Sequence, residues 1–470
     1  MTPAKVDADT AFQVAERLRV PEPWEVFAER TNRYEIHLNG ASVELIRGPI
    51  LLEGYGVRVI RARDEATGIG FQASTDTSDE GIQATARDAE SLSRGSTFPA
   101  KRIDLPGAAS GRPAGVEVCD SPLWDRPMEY LQDYVDALLQ PFDGIRDVVP
   151  SFGSVRATLT ETTIANSAGL RTGYRQTLVW LEMAVKAEGA AEGRPPGEYW
   201  VTESTRRIDP DRAATQVEEW SRYARDAHQA VPSPAGELPV LLPATVLATI
   251  LPAVLGTRCT GGARLREVAP DVGGQWGNES LNVTDDGLVP WGVGSSPVDD
   301  EGTPQRRRTL LDHGKISELL YDVRHAGAFG TQSTGNAVRG RQVVYQDWRR
   351  FLHPPSGTST TLVIGPGDGG SDEELAEAAG EGLWVQQLGW AIPDPYSGAF
   401  GGEIRLGYRI HGGRRAEPVR GGTVGGIAMA PPGSSSLMHN LSGIGSTPTL
   451  AEGLFGPTLL VKSLTVAGSA

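Results

Sequence analysis

Seven histidines set the first limit on the chemistry open to this chain. They stand at His37, His228, His313, His325, His353, His411 and His439. No two are three to five residues apart, the spacing that puts two zinc ligands on one face of a helix. No Gly-x-Ser-x-Gly elbow presents a serine nucleophile. Cys259 has no recognisable histidine partner and reads as a small buried residue rather than a nucleophile. No catalytic residue and no metal ligand can therefore be assigned from residue type and spacing.

Two carboxylate clusters remain, Asp285-Asp286 and Asp299-Asp300-Glu301. Carboxylates held close together can share a proton or bind a hard cation. Each cluster is followed by glycine, at Gly287 and Gly302, and Asp before Gly is also turn chemistry, with the side chain bonding its own backbone. The turn explains the spacing better. Ser333-Thr334-Gly335-Asn336 reads the same way. Closely spaced polar, Gly-marked turns nonetheless imply backbone shaped around a cleft. The substrate-cleft candidates are thus Asp299, Asp300, Glu301, Gly302, Thr303, Ser333, Thr334, Gly335 and Asn336, in roles of shaping or holding.

The elements that must position these residues run from Pro239 onward. An apolar run, Pro239 to Pro243, precedes a helical pattern from Ala244 to Leu255. Upstream, the patterns predict helices at 11–18, from Thr77 through a Thr77-x-x-Glu80 capping box, from Asp125 as N-cap, and from Asp209 to Ala230 with Pro210 in first position. Strand patterns fall at 34–38, 42–46, 56–61, 68–74, 155–159, 161–165 and 177–184. Pro232-Ser-Pro-Ala-Gly236 reads as a linker. Beyond it, Glu403 to Ile410, Thr423 to Met429 and Thr458 to Val466 alternate with glycines, as antiparallel strands do. The expected architecture is α+β in two domains. Residues 1–231 form an N-terminal α/β-sandwich-like domain, and 237–470 a C-terminal, mainly antiparallel β domain.

Gly365-Pro-Gly-Asp-Gly-Gly370 fits G-x-G-x-x-G, but no βαβ unit surrounds it. The following Ser371-x-x-Glu374 explains the loop as a helix start. The chain has 470 residues, of which 58 are Gly and 33 Pro, and its formal charge is −15. That charge repels phosphate backbones and argues against a nucleic-acid partner. Arg306-Arg-Arg308 is the one dense basic run, read as a solvated face beside Asp299-Asp300-Glu301. No apolar run approaches the ~20 residues of a membrane span, and the N-terminus shows no signal-peptide core. With two cysteines, Cys119 and Cys259, a reduced cytoplasmic protein is the expectation.

An ordered set of phrases resembles the TldD/PmbA family of metalloproteases. It comprises Gly56-Val-Arg-Val-Ile60, Gly70-Phe-Gln-Ala-Ser-Thr75, Pro239-Val-Leu-Leu-Pro243, Gly273-Gly-Gln-Trp-Gly277, Leu281-Asn-Val-Thr-Asp-Asp286, Ser296-Pro-Val-Asp-Asp-Glu-Gly-Thr303, Arg308-Thr-Leu-Leu-Asp-His-Gly314, Ser333-Thr-Gly-Asn336 and Leu464-Thr-Val-Ala-Gly468. In that family the TldD-like arm carries His-Glu-x-x-x-His and a later Cys as zinc ligands, and the PmbA or TldE arm lacks them. Here the corresponding place, Leu255 to Gly262, supplies neither histidine nor glutamate. Gly445-Ser-Thr-Pro-Thr-Leu450 stands where the later Cys would fall. The resemblance therefore implies a TldE-like subunit with no cofactor of its own. It would pair with a TldD-like zinc-binding subunit to cleave unfolded or small peptides, in peptide or natural-product maturation. An independent carboxylate- or metal-dependent tailoring enzyme and a homodimeric peptide-binding protein are the alternatives.

Overall fold

The computed structural model describes residues 9–108, 115–187, 196–340, 349–389 and 391–468. The N-terminal half is built on one antiparallel sheet of six strands. They are β1 (Trp24–Asn39), β2 (Ser42–Ala62), β3 (Thr67–Ser74), β4 (Val148–Asn166), β5 (Arg171–Ala187) and β6 (Gly197–Thr205), in the order β3-β2-β1-β4-β5-β6. The strands are longer than local patterning implies. The runs 42–46 and 56–61 belong to one strand, as do 155–159 and 161–165. Polar residues that break the alternation, such as Glu53 and Thr160, are absorbed by continuous pairing with β1, at Arg30 and Thr31.

Alternation along β1 divides the work of the two sheet faces. Val26 and Ala28 point into a core closed by α1 (Thr10–Arg17) and α2 (Asp79–Gly95), with Val14, Ile82 and Ala86. Helix α2 is capped by Ser78, whose hydroxyl accepts from Gly81 N–H. The cap is thus one residue later than the Thr77 box predicts. Asp125 is not an N-cap either: it ends the short helix α3 (Ser121–Asp125), and Arg126 precedes α4 (Pro127–Leu139). Asp209 caps a 3-10 turn over Pro210–Arg212, and α5 (Ala213–Gln229) follows. Leu131 and Val135 of α4 and Val217 and Trp220 of α5 pack on Val155, Val179 and Leu181 of the sheet. The opposite β1 face carries Glu25, Phe27 and Glu29, all buried.

The C-terminal half holds an eight-stranded and a six-stranded sheet, mainly antiparallel. Gly236–Leu242 pairs antiparallel with Leu459–Ala467 and parallel with Gly382–Gly389. The expected helix from Ala244 is broken in two, α6 (Ala244–Leu247) and α7 (Leu251–Arg258), because Pro252 has no N–H to donate and starts a new helix. Then come α8 (Gly261–Leu265), α9 (Val323–Phe329) and α10 (Asp372–Ala379), the last with the Ser371/Glu374 capping box. The large core runs from Val240 to Val466. Smaller mixed clusters join the halves: Phe27, Ile164 and Tyr174 meet Val298 and Phe351, and Ile60 meets Val323. Between the halves, Val231–Pro232 pairs with Val419 and Arg420, and the Ser233 hydroxyl donates to the Gly421 carbonyl. No helix among the described residues is long and apolar enough to cross a membrane.

Strand β3 lies so close under α2 that a Cβ on Gly70 would meet the Ala89 carbonyl oxygen at 1.8 Å. Gly70→Ala should therefore cost at least about 1–3 kcal/mol, read from urea unfolding. Gly95→Ala, where nothing lies within 4 Å, should leave stability within about 0.5 kcal/mol.

Candidate functional site

A cavity of about 820 Å³ opens where the N-terminal sheet, the α7–α8 corner and three C-terminal loops meet. Tyr174, Gln176, Ser204 and Arg206 reach it from β5, β6 and the residues after β6. Gly256, Thr257 and Thr260 supply the α7–α8 wall, and the run from Ser356 to Thr360 faces them. This approach is tight: a Cβ on Gly256 would fall 2.4 Å from Ser359 Oγ. Of the nine expected cleft residues, only Asp299 and Asp300 line the cavity.

The loop carrying Asp299 keeps its turn chemistry. Asp299 Oδ1 accepts from the N–H groups of Glu301 at 3.0 Å and Thr303 at 2.8 Å, and Gly302 takes φ +84°. The turn is nevertheless buried: Asp299, Asp300 and Glu301 are 1%, 4% and 0% exposed. The nearby basic run is solvated at Arg306 and Arg307, as expected, but the carboxylates pair with other arginines. Asp300 accepts from Arg350 Nη1 at 3.0 Å and from Arg339 N–H at 2.7 Å. Glu301 takes Arg58 at 2.6 Å and Val323 N–H at 2.8 Å. Arg58 also holds Glu25, and so does Arg339; Arg350 holds Glu29. Arg308 of the basic run turns elsewhere, to Glu318 and the Thr334 carbonyl.

The second expected cluster is a brace. Ser333 and Thr334 hydroxyls donate to the Tyr321 carbonyl, and Gly335 turns at φ +82°. Asn336 is more than a turn residue. It is 2% exposed, and its amide donates to Asp285 Oδ2 at 2.6 Å and the Thr358 carbonyl at 3.3 Å. Asp285 is pinned in turn by Thr360 N–H and hydroxyl, while its neighbour Asp286 makes the expected turn with Leu288 N–H. Strand alternation explains the split, since successive side chains of Val283–Asp286 point to opposite faces. Asp285 thereby anchors the cavity wall at 358–360 without facing the space.

A further pairing joins two residues three apart at the start of α9. His325 lines the cavity, and its Nδ1 lies 2.7 Å from Asp322 Oδ2. Asp322 also caps α9 through His325 N–H and accepts from Gly357 N–H. Burial raises the Asp322 pKa, but the His325 bond outweighs it and the carboxyl is held below its usual range. An oriented Asp–His pair can accept a proton. Among the described residues, no hydroxyl or thiol is bonded to its Nε2.

The residues at the α6–α8 corner do not fit a zinc ion. From Ala244 to Leu265 there is no histidine, aspartate or glutamate. Cys259 is fully buried, and burial pushes its thiol up to about 12, away from the thiolate a metal needs. Among the described residues, no three His, Cys, Asp or Glu side chains converge. No step is derived through a metal in this chain.

The buried carboxylates titrate unusually. Burial, partly offset by Arg58, raises Glu301 to about 7, and burial with the adjacent Glu301 holds Asp299 well above the carboxylate range. The folded protein therefore binds protons more tightly here than the unfolded chain. The stabilisation is full below 4.5, the ordinary value for Glu301, and is lost as pH rises through about 7. Melting temperature should fall across that window, and Glu301→Gln should make the slope shallower. Arg350→Met, which strands Glu29 and Asp300, should cost about 3–5 kcal/mol in chemical denaturation.

Three family models match in order: PmbA/TldA metallopeptidase domain 1 over 24–93, the central domain over 122–229, and the C-terminal domain over 235–468. A metalloprotease TldD homolog of Haemophilus influenzae is 27% identical over 274 residues, 56% of this chain and 55% of that one. An uncharacterised protein of Methanocaldococcus jannaschii is 28% identical over 155 residues, 33% of this chain and 34% of that one. The chain thus spans about half or less of the length of these relatives. The fold is similar to the crystal structure of TldE from Thermococcus kodakarensis, with TM-score 0.78 and 18% identity over 97% of this chain and 99% of that one. A putative modulator of DNA gyrase from Thermotoga maritima gives TM-score 0.75 at 18% identity, over 95% and 96%.

Proposed function

The chain belongs to the PmbA/TldA metallopeptidase family, and from that premise we propose that it is the non-catalytic, TldE-like subunit of a zinc peptidase pair. One observation carries this reading. The α7–α8 corner lines the cavity only with Pro, Ala, Gly and Thr residues, has no His, Asp or Glu, and keeps Cys259 buried, so it offers no ligand set. Hydrolysing a peptide demands an activated water or nucleophile and charge stabilisation. In this reading a TldD-like zinc-binding partner supplies both. This chain completes the chamber and holds an extended, unfolded or small peptide, with Asp299 and Asp300 shaping the wall. The site of action is cytoplasmic, and peptide or natural-product maturation is the pathway class. The division into domains 1–231 and 237–470 belongs to the same reading.

A second reading has one observation in its favour. The Asp322–His325 pair faces the cavity with Nδ1 fixed, as a general base would. An independent enzyme would use it.

The test is hydrolysis of an unstructured peptide by this chain, by a TldD-like partner and by both together. We expect turnover only when the partner is present, loss on replacing the partner's zinc-helix glutamate, and retention of turnover in His325→Ala of this chain. Metal analysis of this chain alone should give well below about one zinc per chain. Turnover by this chain alone, abolished by His325→Ala, refutes the proposal in favour of the second reading.

A further inference from the structure

The charge of the cavity does not follow the charge of the chain. The chain is at −15, yet four arginines line the cavity, Arg206, Arg266, Arg324 and Arg350, against Asp299, Asp300 and Glu452. Asp300 is already paired with Arg350. Asp299 is satisfied by three backbone N–H groups and is held toward its neutral form by burial. Glu452 accepts from Ser204, and burial raises its pKa as well. Arg350 is neutralised by Asp300 and Glu29, but the acids of the wall give Arg206 and Arg266 no carboxylate partner among the described residues.

Arg206 shows this most sharply. It is 2% exposed, and its guanidinium donates to the carbonyls of Gly292, Val293, Ser295 and Thr177 and to Gln176 Oε1. None of these acceptors is charged. Burial lowers its pKa only to about 10, so it remains cationic at neutral pH. A buried charge solvated by dipoles alone costs several kcal/mol and projects its field into the low-dielectric space beside it. Arg266 and Arg324 lie nearer solvent and are also poorly neutralised. Arg266 donates to the Tyr396 hydroxyl at 2.5 Å. Arg324 lies 3.9 Å from Asp322, which His325 already holds, and its Nε is buried with no partner among the described residues.

We propose that this cavity binds the free carboxylate of a peptide, with Arg206 supplying the buried positive field and Arg266 and Arg324 the donors that meet the anion. The inference rests on the peptide-holding function above and adds what the cavity selects. A guanidinium offers a planar fork that matches a carboxylate. The carboxylate is either the peptide's C-terminus or an acidic side chain, and the experiment separates these.

The cavity is walled by this chain, so the purified full-length chain is the specimen, with fluorescence anisotropy as the readout. A short labelled peptide without acidic residues is compared as its free acid, as its C-terminal amide, and as an amide with one internal Glu. The free acid should bind at least about tenfold more tightly than the plain amide, in line with a charge-assisted hydrogen bond. If the Glu-bearing amide regains that affinity, the proposal also stands, with a side-chain carboxylate as ligand. Arg324→Gln, a change at a half-exposed position, should shrink the preference several-fold. Equal affinity for all three peptides overturns this inference and leaves the peptide-holding function standing. Failure of all three to bind overturns that function and this inference together.

Discussion

Three buried arginines fix how the two halves of this protein meet. Arg58 ties Glu25 to Glu301, Arg350 ties Glu29 to Asp300, and Arg339 reaches Glu25 from the strand beside Asp300. Glu25 and Glu29 stand on one face of β1 with Phe27 between them, and Arg339 and Arg350 both lie over the Phe27 ring. Moving these ions out of water costs several kcal/mol each, so the cluster is no simple gain in stability. What it imposes is geometry. Five ion pairs and a cation–π stack close together only when the loop 299–301 sits at one height above the sheet. Any other seating leaves an unpaired charge in a dry interface.

That constraint runs on into the cavity. Asp300 is both a member of the ionic cluster and a wall residue, and so is Arg350. Asp299 binds Ala337 N–H, whose neighbour Asn336 holds Asp285 and the wall at 358–360. The shape of the cavity is thus set by a chain of polar pins rather than by apolar packing. Each pin is buried, so each would carry a desolvation penalty if it failed.

How much of this the sequence discloses depends on how local each cause is. The Ser371 capping box, the turn at Asp286 and the break at Pro252 are decided within a few residues, and the first two are legible as written. The shift from Thr77 to Ser78 is a choice between adjacent caps of similar quality. The ionic cluster is different. Arg58 and Glu301 are 243 positions apart, and Arg350 and Glu29 are 321 apart. An arginine destined for the interior has the same local pattern as one destined for solvent. Asp299 to Glu301 could be found as polar and Gly-marked, which is why they stood among the cleft residues. Their burial, and the arginines that meet them, required the fold. Arg206 left no local mark, and although Asp322 and His325 stand only three apart as N-cap and partner, that His325 lines the cavity required the fold.

The wall at α7 is set by a close backbone approach. Gly256 lets the helix press close to Thr358 and Ser359: a Cβ there would fall 2.4 Å from Ser359 Oγ and 3.2 Å from its backbone nitrogen. A histidine or glutamate at this position could not be accommodated without moving that run, and the run is held from behind by Asp285 through Thr360. The corner thus combines a lack of His, Asp and Glu with a close approach to the opposing run. The opposing wall is braced against it through Asp285 and Thr360. On the other side of the same cavity lies Arg206, a buried cation held only by neutral acceptors. A wall of this kind can orient an anionic group strongly, because its field comes from fixed, buried charges that need no reorganisation when the ligand arrives.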